Sequence, residues 1–186
     1  MKIGFAMTGS FCTFQKVFPV MEALSENYQL VPVLSEASQT TCSRFGTPRE
    51  YLQKIREICG AEPILTLEQA EPIGPKKLLD ALIIAPCTGN TLAKLSHSIA
   101  DGPVTMAAKS HLRNGRPILV AVSTNDALAG AAENIGRLLA RKHYYFVPFG
   151  QDHAFEKPTS LVADFGKIPE ALEDALQGRQ IQPLLQ

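Results

Sequence analysis

Short apolar runs alternate along this chain with segments whose apolar residues recur every three or four positions. Runs of strand length occur at Lys2–Met7, Gln29–Leu34, Ala81–Ala85, Pro117–Val122 and Tyr144–Pro148. Continuous apolar runs are typical of strands buried on both faces of a parallel sheet. The pattern therefore predicts five main strands, and Pro63–Leu65 adds a weaker one.

Helical spacing separates these strands. The sequence Thr47-Pro48-Arg49-Glu50 has the form of a capping box with proline at the first helical position, which predicts a helix ending near Cys59, before Gly60. The predicted first helix places five apolar residues on one face: Phe14, Val17, Phe18, Met21 and Leu24. The other predicted helices begin at Asn90, as an N-cap, and span Val104–Asn114, Ala127–Lys142 and Pro169–Gln177.

The alternation of strand and helix predicts an α/β fold, in which a doubly wound, mainly parallel sheet forms the middle of three layers in a Rossmann-like arrangement. The chain has 186 residues and no internal repeat, so we expect one domain over residues 1–186. Residues 150–168 lack periodicity and are predicted to form a long loop, with residues 169–177 as a closing helix.

Charge and cysteine content exclude several classes of function. Eighteen basic and eighteen acidic residues balance, and no like-charge run exceeds two residues, which argues against binding to nucleic acid or to a membrane surface. The first apolar run is too short for a signal peptide, so we expect a cytoplasmic protein. The four cysteines form no CxxC pattern, which predicts neither a disulfide framework nor a metal site.

Small polar residues follow four of the predicted strands. The carboxyl ends of parallel strands share one edge of a sheet, where open α/β folds bind ligands. Each residue alone is explained by capping of the next helix, whereas the four groups together predict a ligand site. The candidates are Thr8, Gly9 and Ser10 after the first strand, Ser35, Ser38 and Thr40 after the second, Pro86, Cys87, Thr88, Asn90 and Thr91 after the third, and Ser123 and Thr124 after the fourth.

The usual nucleotide motifs are missing from these loops. No GxGxxG follows the first strand and no GxxxxGK[ST] occurs, which disfavours a dinucleotide site and a P-loop. A mononucleotide such as flavin mononucleotide (FMN) fits a site built from strand-end loops.

One segment carries a family resemblance. Ala85–Leu95, continued by Ile99-Ala100-Asp101-Gly102, resembles the core motif of the homo-oligomeric flavin-containing cysteine decarboxylases, a family that also includes flavin prenyltransferases. Thr8-Gly9-Ser10 and Ser35 lie where that family places flavin contacts. The resemblance covers most of residues 1–148 and implies an FMN site at the candidate residues and a homo-oligomer.

Three other segments are similar to one branch of this family: Ser35–Ser38, Ser43–Pro48 and Gly150–Ala163. That branch provides one of the two components of a synthase that aromatises a small heterocyclic dicarboxylate in the mother cell of sporulating bacteria. The resemblance implies an oxidoreductase component whose partner binds NAD(P).

A dicarboxylate substrate requires cationic side chains near the cofactor. Lys109 and Arg113 lie four residues apart and share one face of a predicted helix. Arg44 and Lys157 lie in loops that could close over the site. These four residues are the candidates for binding the carboxylates.

The chain departs from the decarboxylases at their catalytic positions. They carry a histidine just before the strand that corresponds to Ala81–Ala85, but Glu71–Lys76 contains none. Their Pro-Ala-Met-Asn segment retains only its asparagine, Asn125. No catalytic residue is therefore identified, and two alternatives stay open: a non-catalytic partner or scaffold, and an FMN-dependent decarboxylase whose base is His111 or His153.

Overall fold

A seven-stranded sheet forms the centre of the protein, and the computed structural model describes all residues from 1 to 186. The strands are β1 Lys2–Met7, β2 Gln29–Leu34, β3 Ala81–Cys87, β4 Ile118–Thr124, β5 Tyr144–Phe146, β6 Phe149–Gly150 and β7 Leu161–Ala163. The helices are α1 Phe14–Ser25, α2 Glu36–Thr40, α3 Pro48–Cys59, α4 Leu67–Ala70, α5 Gly89–Ser96, α6 Pro103–Leu112, α7 Ala132–Leu139 and α8 Ile168–Leu176.

The first five strands are parallel, and their spatial order is β2-β1-β3-β4-β5. The end of β4 also pairs with β7, which is antiparallel to it and to β6. The predicted doubly wound, mainly parallel α/β fold is confirmed. Because the order reverses between β1 and β3, a crevice is expected beyond the carboxyl ends of these two strands.

The core explains why the apolar runs form strands. All seven residues of β3 are buried, as are the first six of β4. The five apolar residues predicted to share one face of α1 are buried too. None of the helices has both the length and the apolar character that crossing a bilayer requires.

Helix α3 begins and ends where the sequence predicted. The Thr47 hydroxyl accepts from the N–H of Glu50 at 3.3 Å, and the Glu50 carboxylate accepts from the N–H of Thr47 at 2.7 Å. Gly60 ends the helix with φ +58°, a left-handed conformation that favours glycine. These signals are local, so tertiary packing did not override them.

The long helix predicted over Ala127–Lys142 is wrong, since α7 spans only residues 132–139. The preceding residues form turns in which the Asp126 carbonyl accepts from the N–H groups of Ala129 and Ala131. The N–H of Leu128 donates instead to the carbonyl of Thr159, in a distant segment. Alanine favours a helix here, but these turn and tertiary hydrogen bonds prevail over that preference.

The predicted long loop over 150–168 is also wrong. It contains β7 and a 3-10 turn at Phe165–Lys167. Three residues are too few to show periodicity, and β7 exists because the end of β4 offers it an antiparallel partner. The weak strand at Pro63–Leu65 is reduced to a single bridge between Ile64 and Val33.

Candidate functional site

Two adjoining cavities open where β1 to β4 end. The α2 cavity, of about 370 Å³, lies between α2 and the first turns of α5 and α6. The β4 cavity, of about 330 Å³, lies beside the end of β4 and is lined by Ser10, Phe45 and Asn125 among others. Gly9 and Thr88 line both cavities. Each volume falls within the range of about 300–1,000 Å³ that small-molecule sites occupy.

The structure brings most of the predicted cofactor residues to these cavities. Those that line one or both are Thr8, Gly9, Ser10, Ser35, Thr88, Asn90, Thr91, Ser123 and Thr124. Those that line neither are Ser38, Thr40, Pro86 and Cys87.

Thr8 joins the loop after β1 to the loop after β3. Its hydroxyl donates to the Pro86 carbonyl at 2.7 Å and accepts from the N–H of Thr88 at 3.0 Å. The side chain is buried, with 1% of its surface exposed. Because the hydroxyl of Thr8 already donates one hydrogen bond and accepts another within the protein, its role is to shape the cavity wall. The sequence did not predict this cross-link between the two loops, since no local signal marks it.

The hydroxyl groups after β2 build the first turn of α2. Ser38 is buried and donates to the Met7 carbonyl at 3.3 Å. The Ser35 hydroxyl therefore donates to Ser38 at 3.0 Å, and it accepts from the Ser38 N–H at 3.3 Å. Thr40 donates to the carbonyl of Glu36 at 2.9 Å on the exposed side of the helix. Ser38 and Thr40 thus support the loop from outside the cavities.

Thr88, rather than the predicted Asn90, is the N-cap of α5. Its hydroxyl accepts from the N–H of Thr91 at 3.4 Å and donates to the Thr91 hydroxyl at 3.2 Å. The hydroxyl proton of Thr91 is left free. Asn90 belongs to the exposed first turn, where N–H groups have no partner within the helix. The N-terminus of α5 therefore offers backbone N–H donors to a ligand.

Two glycines allow the loops to approach closely. A Cβ atom on Gly9 would lie 3.2 Å from the Cβ of Ala37. One on Gly89 would lie 2.8 Å from an oxygen of Asp126 and from the hydroxyl of Thr124. The Gly9 N–H has no acceptor within the protein. Larger residues at either position would push apart the loops that form the cavities.

The charges of the α2 cavity were missed in the sequence. Lys94 and Asp101 form an ion pair at 2.9 Å, and the hydrogen bond from Lys94 lowers the pKa of the Asp101 carboxyl. Glu36 adds an exposed carboxylate, and Thr105 lines the same wall. Lys94 and Asp101 belong to the segment that carries the resemblance, but nothing in their spacing predicts the pair. An anion here would have to be bound by N–H and hydroxyl groups, since the only cation is already paired.

The β4 cavity has no charged residue in its lining. The hydroxyls of Ser10 and Ser123 share a hydrogen bond of 2.8 Å, and the only other contact of this pair is a long one of 3.9 Å from Ser10 to the Cys12 sulfur, so a ligand can compete for the second hydroxyl proton. Thr124 donates to Asp126 at 2.6 Å. This cavity can therefore accept a polar, uncharged group.

Cys87 lies beneath the site. It is fully buried, and burial raises the pKa of its thiol far above the usual range. A thiol that stays protonated is a poor nucleophile. His111, one candidate base of the decarboxylase alternative, is also fully buried, and its Nε2 lies 3.1 Å from the Pro117 carbonyl. His111 lines neither cavity, and neither does His153.

The four cations predicted to bind carboxylates do not lie together. Lys109 and Arg113 line a third cavity, of about 290 Å³, that shares Thr105 with the α2 cavity. The Arg44 guanidinium lies 4.8 Å from the ring centre of Phe45, at a separate cavity. Lys157 pairs with Asp152 at 3.6 Å.

Comparison with known proteins supplies the family. The Flavoprotein family model matches residues 1–167. The dipicolinate synthase B subunit of Bacillus subtilis (strain 168) is 45% identical over 185 residues, which cover 99% of this chain and 92% of that protein. The crystal structure of the dipicolinate synthase B subunit from Bacillus halodurans C has a TM-score of 0.91 and 46% identity, and the match covers 100% of this chain and 95% of that one.

A more distant structure shares the fold alone. DmrB from Burkholderia xenovorans, described as a cubic protein cage for redox transfer and solved in complex with FMN, is 17% identical. Its TM-score is 0.70, with 95% of both chains covered.

Proposed function

The chain belongs to the Flavoprotein family, and from this membership and the cavity geometry we propose that it is the B subunit of a dipicolinate synthase and that it binds FMN. In this role it takes part in the oxidation of dihydrodipicolinate to dipicolinate during sporulation. The observation that carries the proposal is the convergence of four strand-end loops on two adjoining cavities at the β1/β3 crevice. That crevice is where doubly wound sheets of this strand order hold flavin.

The residues present fit FMN. Several groups around the cavities have no protein partner and are donors suited to phosphate oxygens and to the polar edge of a heterocycle. They are the N–H groups of Gly9, Gly89 and Asn90, the hydroxyl proton of Thr91 and one proton of the Ser10–Ser123 pair. When bound, the flavin supplies an acceptor for two electrons.

The chain's own residues hold and orient rather than transfer protons. The oxidation removes two electrons and two protons from the dihydropyridine ring, and its driving force is aromatisation. Thr8 fixes two loops that would flank the cofactor, and the Lys94–Asp101 pair closes one wall. We propose that NAD(P) binds to the other component of this synthase, its A subunit, which is the partner of this chain.

One observation favours the second candidate function, a non-catalytic partner or scaffold. The ionisable side chains that line the two cavities are the Lys94–Asp101 pair, Glu36 and Cys12, and no histidine is among them. In this case the chain serves only to assemble the synthase. Under either candidate function, the chain forms a homo-oligomer in the cytoplasm of the mother cell, as the resemblance implies.

The first test is a flavin titration of the purified chain, followed by quenching of FMN fluorescence. We expect saturable binding to the unmodified chain. Gly9→Val should weaken it at least about tenfold, equivalent to about 1.4 kcal/mol, because the added atoms press on Ala37. Gly136→Ala is the matched control, since its Cβ meets nothing within 4 Å. Absence of FMN binding to the unmodified chain would refute the flavin site.

A second experiment separates catalyst from scaffold. The partner component and the dihydro precursor are mixed with either the unmodified chain or Gly9→Val, and pyridine absorbance is followed in the ultraviolet. A flavin-dependent role predicts that dipicolinate formation falls with FMN affinity. Equal formation with both chains would instead identify this chain as a scaffold.

A further inference from the structure

The third cavity, which we call the cationic cavity, lies next to the α2 cavity but has opposite electrostatic character. Lys109, Arg113 and Arg141 line it, and no carboxylate does. It shares only Thr105 with the α2 cavity, whose wall carries Glu36 and Asp101. A concave surface lined by one sign of charge concentrates ligands of the opposite sign.

Two of these cations have no partner in the protein. Lys109 on α6 and Arg113 at the C-cap of that helix are exposed, and neither forms a salt bridge or a side-chain hydrogen bond. Four residues apart on a helix, they share one face with about 5–6 Å between their Cβ atoms. A ligand would not have to displace an internal carboxylate from either side chain, and the spacing suits two anionic groups on one small molecule.

Arg141 contributes a charge whose position is already fixed. Its guanidinium donates to the carbonyl oxygens of Leu95 at 3.1 Å and Ser96 at 2.6 Å, and to the Ser98 hydroxyl at 3.3 Å. These bonds attach the end of α7 to the end of α5. An arginine held in this way loses little side-chain entropy when an anion binds beside it.

Tyr144 provides an independent sign of a ligand. Only 7% of this side chain is exposed, it lines the cationic cavity, and its hydroxyl has no hydrogen-bond partner in the protein. The hydroxyl is not sealed in the interior, so a ligand in the cavity can reach it. Burial also raises the pKa of Tyr144 to about 12, so the hydroxyl keeps its proton at neutral pH and remains a donor.

Apart from the hydroxyl residues Ser98 and Thr105, the rest of the wall is apolar. Leu95 and Leu112 line the cavity, and Ile99 lies beside them with 48% of its surface exposed. An exposed isoleucine next to unpaired cations suits a ligand that has a hydrocarbon face as well as anionic groups. A free inorganic anion would leave this surface uncovered.

We propose that the cationic cavity is a binding site for a small planar dicarboxylate, which Lys109, Arg113 and Arg141 hold by its carboxylates and Tyr144 by a hydrogen bond. The choice of a dicarboxylate rests on the proposed function. The ring of such a ligand would cover Ile99.

Isothermal titration calorimetry of the full-length chain with pyridine-2,6-dicarboxylate tests this site. We expect one saturable site per chain. Lys109→Gln and Arg113→Gln should each weaken binding about tenfold, because each removes a charge-assisted hydrogen bond. Tyr144→Phe should weaken it by a smaller factor. Lys76→Gln is the matched control, since it removes an exposed positive charge outside the cavity.

The outcomes that overturn the site are specific. If Lys76→Gln weakens binding as much as Lys109→Gln does, the effect is one of overall charge and the site is refuted. Pyridine-2-carboxylate should bind at least about tenfold more weakly, since it lacks one of the two charged groups. If that monocarboxylate or sulfate binds equally well, the cavity is not selective for dicarboxylates and the inference fails.

Failure of this inference is distinguishable from failure of the proposed function. Lys109 and Arg113 line neither the α2 cavity nor the β4 cavity, so both variants should bind FMN like the unmodified chain. Loss of dicarboxylate binding in these variants, without any FMN binding to the unmodified chain, would support the cationic cavity and refute the flavin site. If the unmodified chain binds FMN but all variants bind the dicarboxylate with equal affinity, the cationic cavity alone is refuted.

Discussion

Acid should destabilise this fold through one buried imidazole, that of His111. The side chain is fully buried on α6. Its Nε2 lies 3.1 Å from the Pro117 carbonyl, and its Nδ1 is buried without any hydrogen-bond partner. Nε2 must therefore carry the proton of the neutral ring, and a second proton would place an unpaired charge in the interior.

The pKa of His111 sets the size of the effect. Burial lowers it from 6.5 to about 4, and the nearby charge of Arg116 adds to the lowering. The unfolded chain takes up its proton near pH 6.5, so the free energy of unfolding falls as pH drops from 6.5 towards 4. Integration of the two titrations gives a loss of about 1.4 kcal/mol by pH 5.5 and about 2.5 kcal/mol by pH 4.5.

The assay is urea unfolding followed by circular dichroism at about pH 7.5, 5.5 and 4.5. Other groups titrate in this range, so the pH dependence is compared with that of His111→Gln, whose amide can still donate to Pro117. The substitution should remove about 2.5 kcal/mol of the fall between the highest and lowest pH. His153→Gln, which removes an exposed imidazole, is the matched control for the substitution itself. Parallel curves for the unmodified chain and His111→Gln would refute a neutral, buried imidazole.

Three further substitutions test the construction of the fold. Thr8→Val leaves the Pro86 carbonyl and the Thr88 N–H without partners and should lower the free energy of unfolding by about 2–4 kcal/mol in urea; an unchanged midpoint would contradict the cross-link. Thr47→Ala should cost about 1 kcal/mol by loss of the helix cap, and Thr47→Ser should restore most of it. Gly136→Ala, in open space within α7, should raise the thermal midpoint, since alanine is favoured in helices by about 1 kcal/mol.

The location of the candidate site could be predicted from the sequence, but its hydrogen bonds could not. The positions of Ser35 and Thr88 at strand ends brought them to the cavities, as parallel pairing requires. The sequence does not reveal that the hydroxyls of Thr8 and Ser35 bond to the protein itself. The hydroxyl groups of these two residues therefore serve to build the loops rather than to bind a ligand. The donors left for a ligand are mainly backbone N–H groups, which every sequence has.

The amino-acid sequence by itself determined the strands β1 to β4, the helix α3 and the edge of the sheet where ligand-binding loops gather. These features depend on apolar runs, a capping box and parallel pairing, which act over a few residues or follow from topology. Only the tertiary structure decided that α7 is short, that β7 pairs with β4, and that Lys109 and Arg113 face a cavity with Tyr144. Each of these outcomes depends on a partner distant in sequence, whose position is fixed only when the chain has packed.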